Sequence, residues 1–481
     1  MSLRKKTLNS FLWNLSDNFA VQIINFLTGI YMARILSPSD YGLMGMLLIF
    51  TAVSDAIMNG GLSTALIRKI DRTEVDMSTA FYFNIITGFV LYMILFCSAS
   101  SIASFYSTPE LKDLVKIVAI PFVINAFNLV QRTRMIIQMD FKTQAKFSIV
   151  SALIKGGSGI GLAYNGWGVW AIAWSGLIGS LTSCMLYWWH SSWRPKLVFS
   201  VKSFCELFGF GSKLMLSSVL DVFGNNLYTL IIGKYFSASS LGYYTRAFGY
   251  ASLPCNVFSG VLSRVTLPML SQIQNNDEQL ASVYKRLLSL SAFVVFPLMV
   301  GLALLARPLI VLMITEKWLP CAEYLQLLCF AFMLYPIHAL NLNLLQVKGR
   351  SDLFLRLEVI KKGMMLLLLI IAIPFGIRTI CIGAVVVSFL SWILNTYYTG
   401  KLIKVGFIKQ ITALMPVFGY TTVMGTCMYF VQKIYNGSYA EELLWGMLTC
   451  IGTYITTSLF SHSKELHYLS KLLRKSKKTF L

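Results

Sequence analysis

Fourteen apolar stretches of about 20 residues, each long enough to cross the hydrocarbon of a bilayer as a helix, constrain this chain more than any motif does. They run approximately over 11–33, 41–65, 80–104, 114–137, 144–164, 167–189, 208–233, 242–268, 286–306, 322–345, 355–376, 379–399, 412–433 and 440–461. The connections are short and carry turn chemistry, as in Ser37-Pro38-Ser39-Asp40, Ser107-Thr108-Pro109-Glu110, Asn165-Gly166 and Asn436-Gly437. None is long enough to fold alone. Composition agrees, because 13% charged residues cannot cover a water-soluble surface, for which roughly 25% is usual. The expected fold is an all-α integral membrane protein with about fourteen transmembrane helices.

Charge sets the orientation. With the N-terminus in the cytoplasm, roughly 29 of the 41 Lys and Arg fall on inner segments and about nine on outer ones. Both termini are then cytoplasmic. The net charge of +21 therefore records topology, and nucleic acid is not an expected partner. The basic start, Met1 to Lys6, resembles that of a signal peptide, but Asn14, Asp17, Asn18 and Gln22 interrupt the apolar run that follows, so an uncleaved first span is expected. At the other end, residues 463–481 form a basic tail in which Leu466, Tyr468, Leu469, Leu472 and Leu473 alternate with bases. It reads either as an amphipathic helix on the inner leaflet or as a frayed end.

The chain also repeats itself. Residues 25–63 lie over 225–263 at a constant offset of 200, with identity at Asn25/Asn225, Leu27/Leu227, Ser37/Ser237, Ser39/Ser239, Gly42/Gly242, Gly60/Gly260, Leu62/Leu262 and Ser63/Ser263. The loop residues LSPSDYG (36–42) and FSASSLG (236–242) match where hydrophobic composition cannot force agreement. Six spans separate the copies, so direction is preserved and the repeat is parallel, as in transporters built from two halves. The expected organisation is an N-terminal lobe at 1–200, a second lobe at 201–405 and two appended helices within 406–462.

The segments MSLRKKT (1–7), ARILSPSDYGL (33–43), ALIRK (65–69), LPMLSQIQ (267–274), YKRLLS (284–289), EKW (316–318) and LQLLC (325–329) resemble the Wzx-type polysaccharide exporters of the multidrug/oligosaccharidyl-lipid/polysaccharide superfamily. Within it the chain is most similar to the colanic and teichuronic acid exporter branch. The resemblance implies a flippase of the bacterial inner membrane that moves an undecaprenyl-pyrophosphate-linked repeat unit outward. It also implies membrane lipids, a coupling proton or sodium ion, and polysaccharide polymerase and export proteins as partners. It supplies no residue-level site.

Candidate site residues come from polar groups inside the spans, each costly unless it faces water or a partner. Asn14, Asn18, Gln22, Asn25 and Gly29 form a stripe on the first span beside Asp17, and Ser218, Asp221, Asn225 and Tyr228 repeat it on the seventh. A hydrated lumen and simple interhelical fastening both fit such stripes. A diphosphate stripped of water needs cations, for which Lys155, Lys213 and Arg264 are the candidates, with Arg132 below Asn125 and Asn128 at the inner end of the fourth span. Lys213 and Arg264 also suit snorkelling. Asp17, Asp55 and Asp221 are candidate ion-coupling carboxylates, with structural pairing to Lys155 or Arg264 as the alternative. Tyr335, His338 and Asn341 suit sugar hydroxyls or bundle fastening. Gly157 and Gly161 read as a close-contact pair, and Pro121, Pro254, Pro297, Pro336 and Pro374 as bend points.

Nine scattered cysteines lacking CxxC read as buried free thiols, and four histidines form no ligand cluster, so neither metal nor cofactor is expected. No GxxxxGK[ST] loop is present. No catalytic residue is assigned. The rival readings are a peptidoglycan-precursor flippase, a cation-coupled drug exporter and, from another class, a polyprenol-dependent glycosyltransferase or polymerase.

Overall fold

A computed structural model describes residues 3–59, 61–435, 437–468 and 471, with the side chains of 3–12, 14 and 15 outside the description. Gly60 of the repeat, Asn436 of the last turn, the side chains of Arg4, Lys5, Lys6 and Asn14, and tail residues 472–481 thus lie outside the described residues. The helices are α1 Leu3–Ile35, α2 Pro38–Asn59, α3 Leu62–Arg68, α4 Glu74–Tyr106, α5 Leu111–Ala126, α6 Leu129–Gln138, α7 Phe141–Tyr164, α8 Val169–His190 and α9 Val201–Tyr235. There follow α10 Ala238–Ser271, α11 Asp277–Leu304, α12 Ala306–Ile314, α13 Leu319–Met333, α14 Tyr335–Val347, α15 Ser351–Ala372, α16 Ile377–Ile403, α17 Phe407–Ile434 and α18 Tyr439–Phe460. The described residues contain no strand.

Every apolar stretch falls on a helix or on a broken pair. Among the described residues ten helical spans are long and apolar enough to cross a membrane unaided, and the pair α5 and α6, bent by 46°, makes an eleventh. The stretches on α1, α10 and α15 complete the set. These three carry more polar and charged side chains than the other spans, a property suited to helices that face water rather than lipid.

The chain forms two compact units, 1–242 and 243–481. This partition by packing differs from the partition by repeat, because α9 packs against α2, α3 and α4 in the first unit. The repeat itself is visible at atomic detail. Helix α1 ends at Ile35 and α2 starts at Pro38, while α9 ends at Tyr235 and α10 starts at Ala238, so the offset of 200 holds at both boundaries. Ser37 and Asp40 cap one loop, with Ser37 N donating to Asp40 Oδ2 at 2.8 Å and Asp40 N to Ser37 Oγ at 3.2 Å. In the other, Ser240 N donates to Ser237 Oγ at 3.2 Å. The two loops then meet reciprocally inside the first unit. A β-carbon on Gly42 would lie 1.7 Å from the Ala238 carbonyl oxygen, and one on Gly242 would lie 1.9 Å from that of Pro38.

Elsewhere in this unit α1 lies along α7, where Gly156 admits Thr28 and Gly159 admits Met32 and Ser175. The sequence pattern pointed to Gly157 and Gly161 for close contact, but both face open space, because the partner helix sits on the adjoining face of α7. Leu62, Leu66, Phe81, Leu129, Trp193 and Leu207 form a core that ties the start of α9 to α3, α4 and α6. Of the expected bend points, Pro121, Pro254 and Pro297 lie inside helices, Pro336 opens α14 after the break at Leu334, and Pro374 lies in a short 3-10 turn.

The second unit has an apolar core through Leu270, Leu288, Phe296, Leu340, Leu414 and Met428 with a polar hub inside it. Gln410, fully buried, donates through Nε2 to Asn341 Oδ1 at 3.1 Å and Tyr284 Oη at 3.2 Å and accepts from Trp392 Nε1 at 3.1 Å. Truncating Gln410 to alanine strands the Trp392 N–H and leaves Tyr284 and Asn341 without its amide, which should cost about 3 kcal/mol. Thermal unfolding of the detergent-purified protein is expected to show this as a lowered midpoint; an unchanged midpoint would remove the hub from the stability of this unit. The first turn of the basic tail docks here too, with Leu466 on the core and the Tyr468 ring 3.5 Å from the Arg286 guanidinium carbon.

Candidate functional site

The candidate cations, carboxylates and asparagines belong to the first unit except Arg264, which lies in the second with Tyr335, His338 and Asn341. On α1, Asn18, Gln22 and Asn25 are exposed at helical spacing. On α9, Lys213, Ser217, Asp221 and Asn225 are exposed and fall every fourth residue, forming a polar line about 18 Å long at 1.5 Å per residue. Core packing explains neither stripe, since these side chains point out of the packed interior. In a membrane helix such a stripe is tolerated where it meets water.

Two of the charged candidates come together. Asp17 lies near Ser148 of α7 and within electrostatic range of Arg132 of α6, while the Ser148 hydroxyl itself donates to Gln144 O at 3.0 Å. Tyr187 of α8 lies within electrostatic range of both. Among the described residues, Asp17 Oδ1 is buried without a hydrogen bond. Arg132 is itself exposed and reaches this position because α6 turns by 46° after Asn128.

Lys155 stands apart. The contact of Gly156 with Thr28 sets the register of α7 on α1, which places Lys155 at about the depth of Asn25. Its aliphatic stem lies over Gly179 of α8, its side chain is exposed, and the ammonium makes no hydrogen bond or ion pair among the described residues. Asp55 on α2 is likewise exposed, and only its backbone carbonyl is engaged, by Asn59 Nδ2 at 3.1 Å. Neither carboxylate–cation pairing named as the alternative, to Lys155 or to Arg264, occurs among the described residues. Arg264 is exposed on α10 in the second unit.

Of the two readings for His338 and Asn341, the hydrogen bonds support bundle fastening: Asn341 belongs to the Gln410 hub, and His338 is held between Ser388 Oγ at 3.2 Å and Asn395 Nδ2 at 3.3 Å. They fasten α14 to α16 and α17. The cysteines are free but not uniformly buried, since Cys97 and Cys205 are exposed and Cys184 and Cys427 half-buried.

Residues 31–323 match the family described as polysaccharide biosynthesis protein, which is more than half of the chain. The chain belongs to that family. This polysaccharide biosynthesis protein is 25% identical over 437 residues to the teichuronic acid biosynthesis protein TuaB of Bacillus subtilis, covering 90% of each chain. It is 25% identical over 404 residues to the lipopolysaccharide biosynthesis protein WzxC of Escherichia coli, covering 82% of this chain and 81% of that one. Among solved structures, the lipid II flippase MurJ in an inward closed conformation superposes with a TM-score of 0.76 over 94% of this chain and 99% of its own, at 14% identity. An inward-facing multidrug resistance MATE family transporter of the MOP superfamily gives 0.62 over 80% of this chain and 96% of its own, at 17% identity. This polysaccharide biosynthesis protein therefore shares its fold with these two structures.

Sequence reasoning missed several charges in the family member's helices. Lys361 pairs with Glu358 inside α15, with the two side chains 13% and 31% exposed, although both lie within a stretch already marked as a span. Arg246 lies two turns into α10. Glu206 binds Lys69 Nζ at 2.8 Å across 137 residues of sequence, and no local pattern announces that pair.

Proposed function

We propose that this polysaccharide biosynthesis protein flips a lipid-linked oligosaccharide repeat unit, carried on undecaprenyl pyrophosphate, from the cytoplasmic to the outer face of the bacterial inner membrane for surface polysaccharide assembly. One observation carries the reading: two long polar stripes, on α1 and α9, stand exposed on membrane helices together with the unpaired Lys155 ammonium. A transporter fold with a hydrated, cation-bearing face suits an anionic headgroup with sugars. The family and the relatives named for teichuronic acid and lipopolysaccharide biosynthesis support the same substrate class.

In this proposal both termini are cytoplasmic, the repeat halves 1–200 and 201–405 alternate access with α9 as the helix shared between them, and a proton or sodium ion supplies the drive. Lys155, Lys213, Arg264 and Arg132 attract the diphosphate, and Asn18, Asn25 and Asn225 meet sugar hydroxyls. Polysaccharide polymerase and export proteins act on the delivered unit. A peptidoglycan precursor is the second reading, favoured by the superposition on a lipid II flippase.

Deletion is expected to remove surface polysaccharide and to accumulate lipid-linked repeat units on the inner face; unchanged glycan with no accumulation refutes the reading. Complementation by a lipid II flippase would favour the second. At residue level, Lys155→Ala and Arg264→Ala should each slow export about tenfold, roughly 1.4 kcal/mol of lost stabilisation, with Lys155→Arg restoring most of it. Full export by both alanine variants at normal expression excludes these two cations from the diphosphate site.

A further inference from the structure

A polar cavity of about 380 Å³ opens at the end of the first unit that the proposed orientation places in the cytoplasm, one turn before the start of the α9 stripe. Arg68, Lys69, Ile70 and Asp71 line it from the end of α3 and the following loop, and Glu206 and Phe210 line it from α9. Several contacts build it. Gly61 and Gly211 bring the two backbones together, since a β-carbon on Gly211 would sit 2.9 Å from the Gly61 carbonyl carbon. Lys69 bridges Glu206 at 2.8 Å and the buried Asp76 at 3.1 Å. Glu206, then Asp76, holds the Lys69 ammonium above the ordinary lysine range, so it stays charged.

The chemistry left over distinguishes among ligands. The Arg68 guanidinium rests 4.4 Å from the centre of the Phe210 ring and donates no hydrogen bond among the described residues. Asp71 is exposed and accepts none, and Glu206, 57% exposed, uses one oxygen on Lys69. Two cations and two carboxylates thus share the cavity, and their charges cancel. A bare polyanion gains little from such a wall, because the carboxylates repel it as strongly as the cations attract it. A neutral polyol suits it well. Carboxylate oxygens accept from hydroxyls, a guanidinium donates to hydroxyl and ring oxygens, and the apolar edges of Ile70 and Leu207 suit the C–H faces of a sugar ring.

We infer that this cavity is a sugar-recognition subsite, which engages a pyranose of the lipid-linked oligosaccharide at the cytoplasmic entrance and helps to select which repeat unit enters. The inference rests on the flippase reading and adds the part of the substrate that is read. It assigns specificity to Glu206, Asp71 and Arg68, leaving the diphosphate to the cations named above.

The test uses the purified full-length protein and two probes, the repeat-unit oligosaccharide freed from its lipid by mild acid hydrolysis and inorganic pyrophosphate. Calorimetry should detect binding of the oligosaccharide, weakened about tenfold by Glu206→Gln and by Asp71→Asn through loss of charge-assisted hydrogen bonds. Pyrophosphate should not compete. Asp71 has no partner to lose, so Asp71→Asn should melt like wild type even if Glu206→Gln does not. Wild-type affinity in Asp71→Asn, or displacement by pyrophosphate, overturns the subsite. Flipping of the native glycolipid in proteoliposomes separates the two claims: wild-type flipping without oligosaccharide binding overturns the subsite alone, and no flipping overturns the reading beneath it.

Discussion

Gly42→Ala and Gly242→Ala are each expected to abolish surface polysaccharide export and to lower the unfolding midpoint, while Gly249→Ala on the same helix as Gly242 leaves both unchanged. The clashing atoms decide this. The added carbon meets a backbone oxygen at 1.7 Å in one case and 1.9 Å in the other, so no rotamer change relieves it and the α1–α2 and α9–α10 connections must separate. Overpacking in a close contact costs about 1–3 kcal/mol or more. The flanking caps, Ser37 with Asp40 and Ser237 with Ser240, fix both loops and leave little room to yield. Gly249 has nothing within 4 Å of the added carbon, so helix propensity alone makes its substitution harmless. Export should fall about 100-fold in the first two variants, equivalent to roughly 2.7 kcal/mol on the transport barrier. Radiolabelled glycan at the cell surface and thermal unfolding in detergent measure the two effects. Wild-type values for Gly42→Ala would show that the loops can part freely.

Those two glycines also mark how far the sequence could be read. The offset of 200 revealed that 36–42 and 236–242 are copies, and both helix boundaries keep that offset. That the copies touch each other is a tertiary fact without a local signature. The same limit governs α7, where glycines at 156, 157, 159 and 161 offer two possible faces and the position of α1 selects Gly156 and Gly159. Polar stripes behave likewise. Asn18 and Asn25 look in sequence like His338 and Asn341, yet the first pair is exposed, whereas Asn341 is locked into the Gln410 hub and His338 is held by Ser388 and Asn395. Span positions were legible because hydrocarbon thickness imposes a length on every apolar stretch. The direction a polar side chain faces was not, because it depends on which helix packs alongside. The cavity of Arg68, Asp71 and Glu206 was beyond reach for the same reason, being assembled from segments more than 130 residues apart.

Asp17→Asn and Asp17→Ala are expected to lose export about 100-fold and to lose its response to an imposed ion gradient. Three features single out this carboxylate from Asp55 and Asp221, which are both exposed. Among the described residues its Oδ1 is buried without a hydrogen bond, a state that costs several kcal/mol in a low-dielectric setting unless a proton or a cation occupies it. Ser148 of α7 lies near the carboxyl, and Arg132 sits close enough to act on it. Binding of a proton or sodium ion at Asp17 would weaken the attraction to Arg132, which is then freed to meet an anionic headgroup; release of the ion would restore it. On this reading, one contact would link ion occupancy to substrate charge. Proteoliposomes with an imposed proton or sodium gradient give the readout, with Asp17→Glu expected to keep part of the gradient response and Arg132→Ala to weaken substrate affinity while leaving that response intact. If Asp17→Asn transports normally and still answers the gradient, coupling lies elsewhere, and the contact with Ser148 and Arg132 serves only to fasten α1 against α6 and α7.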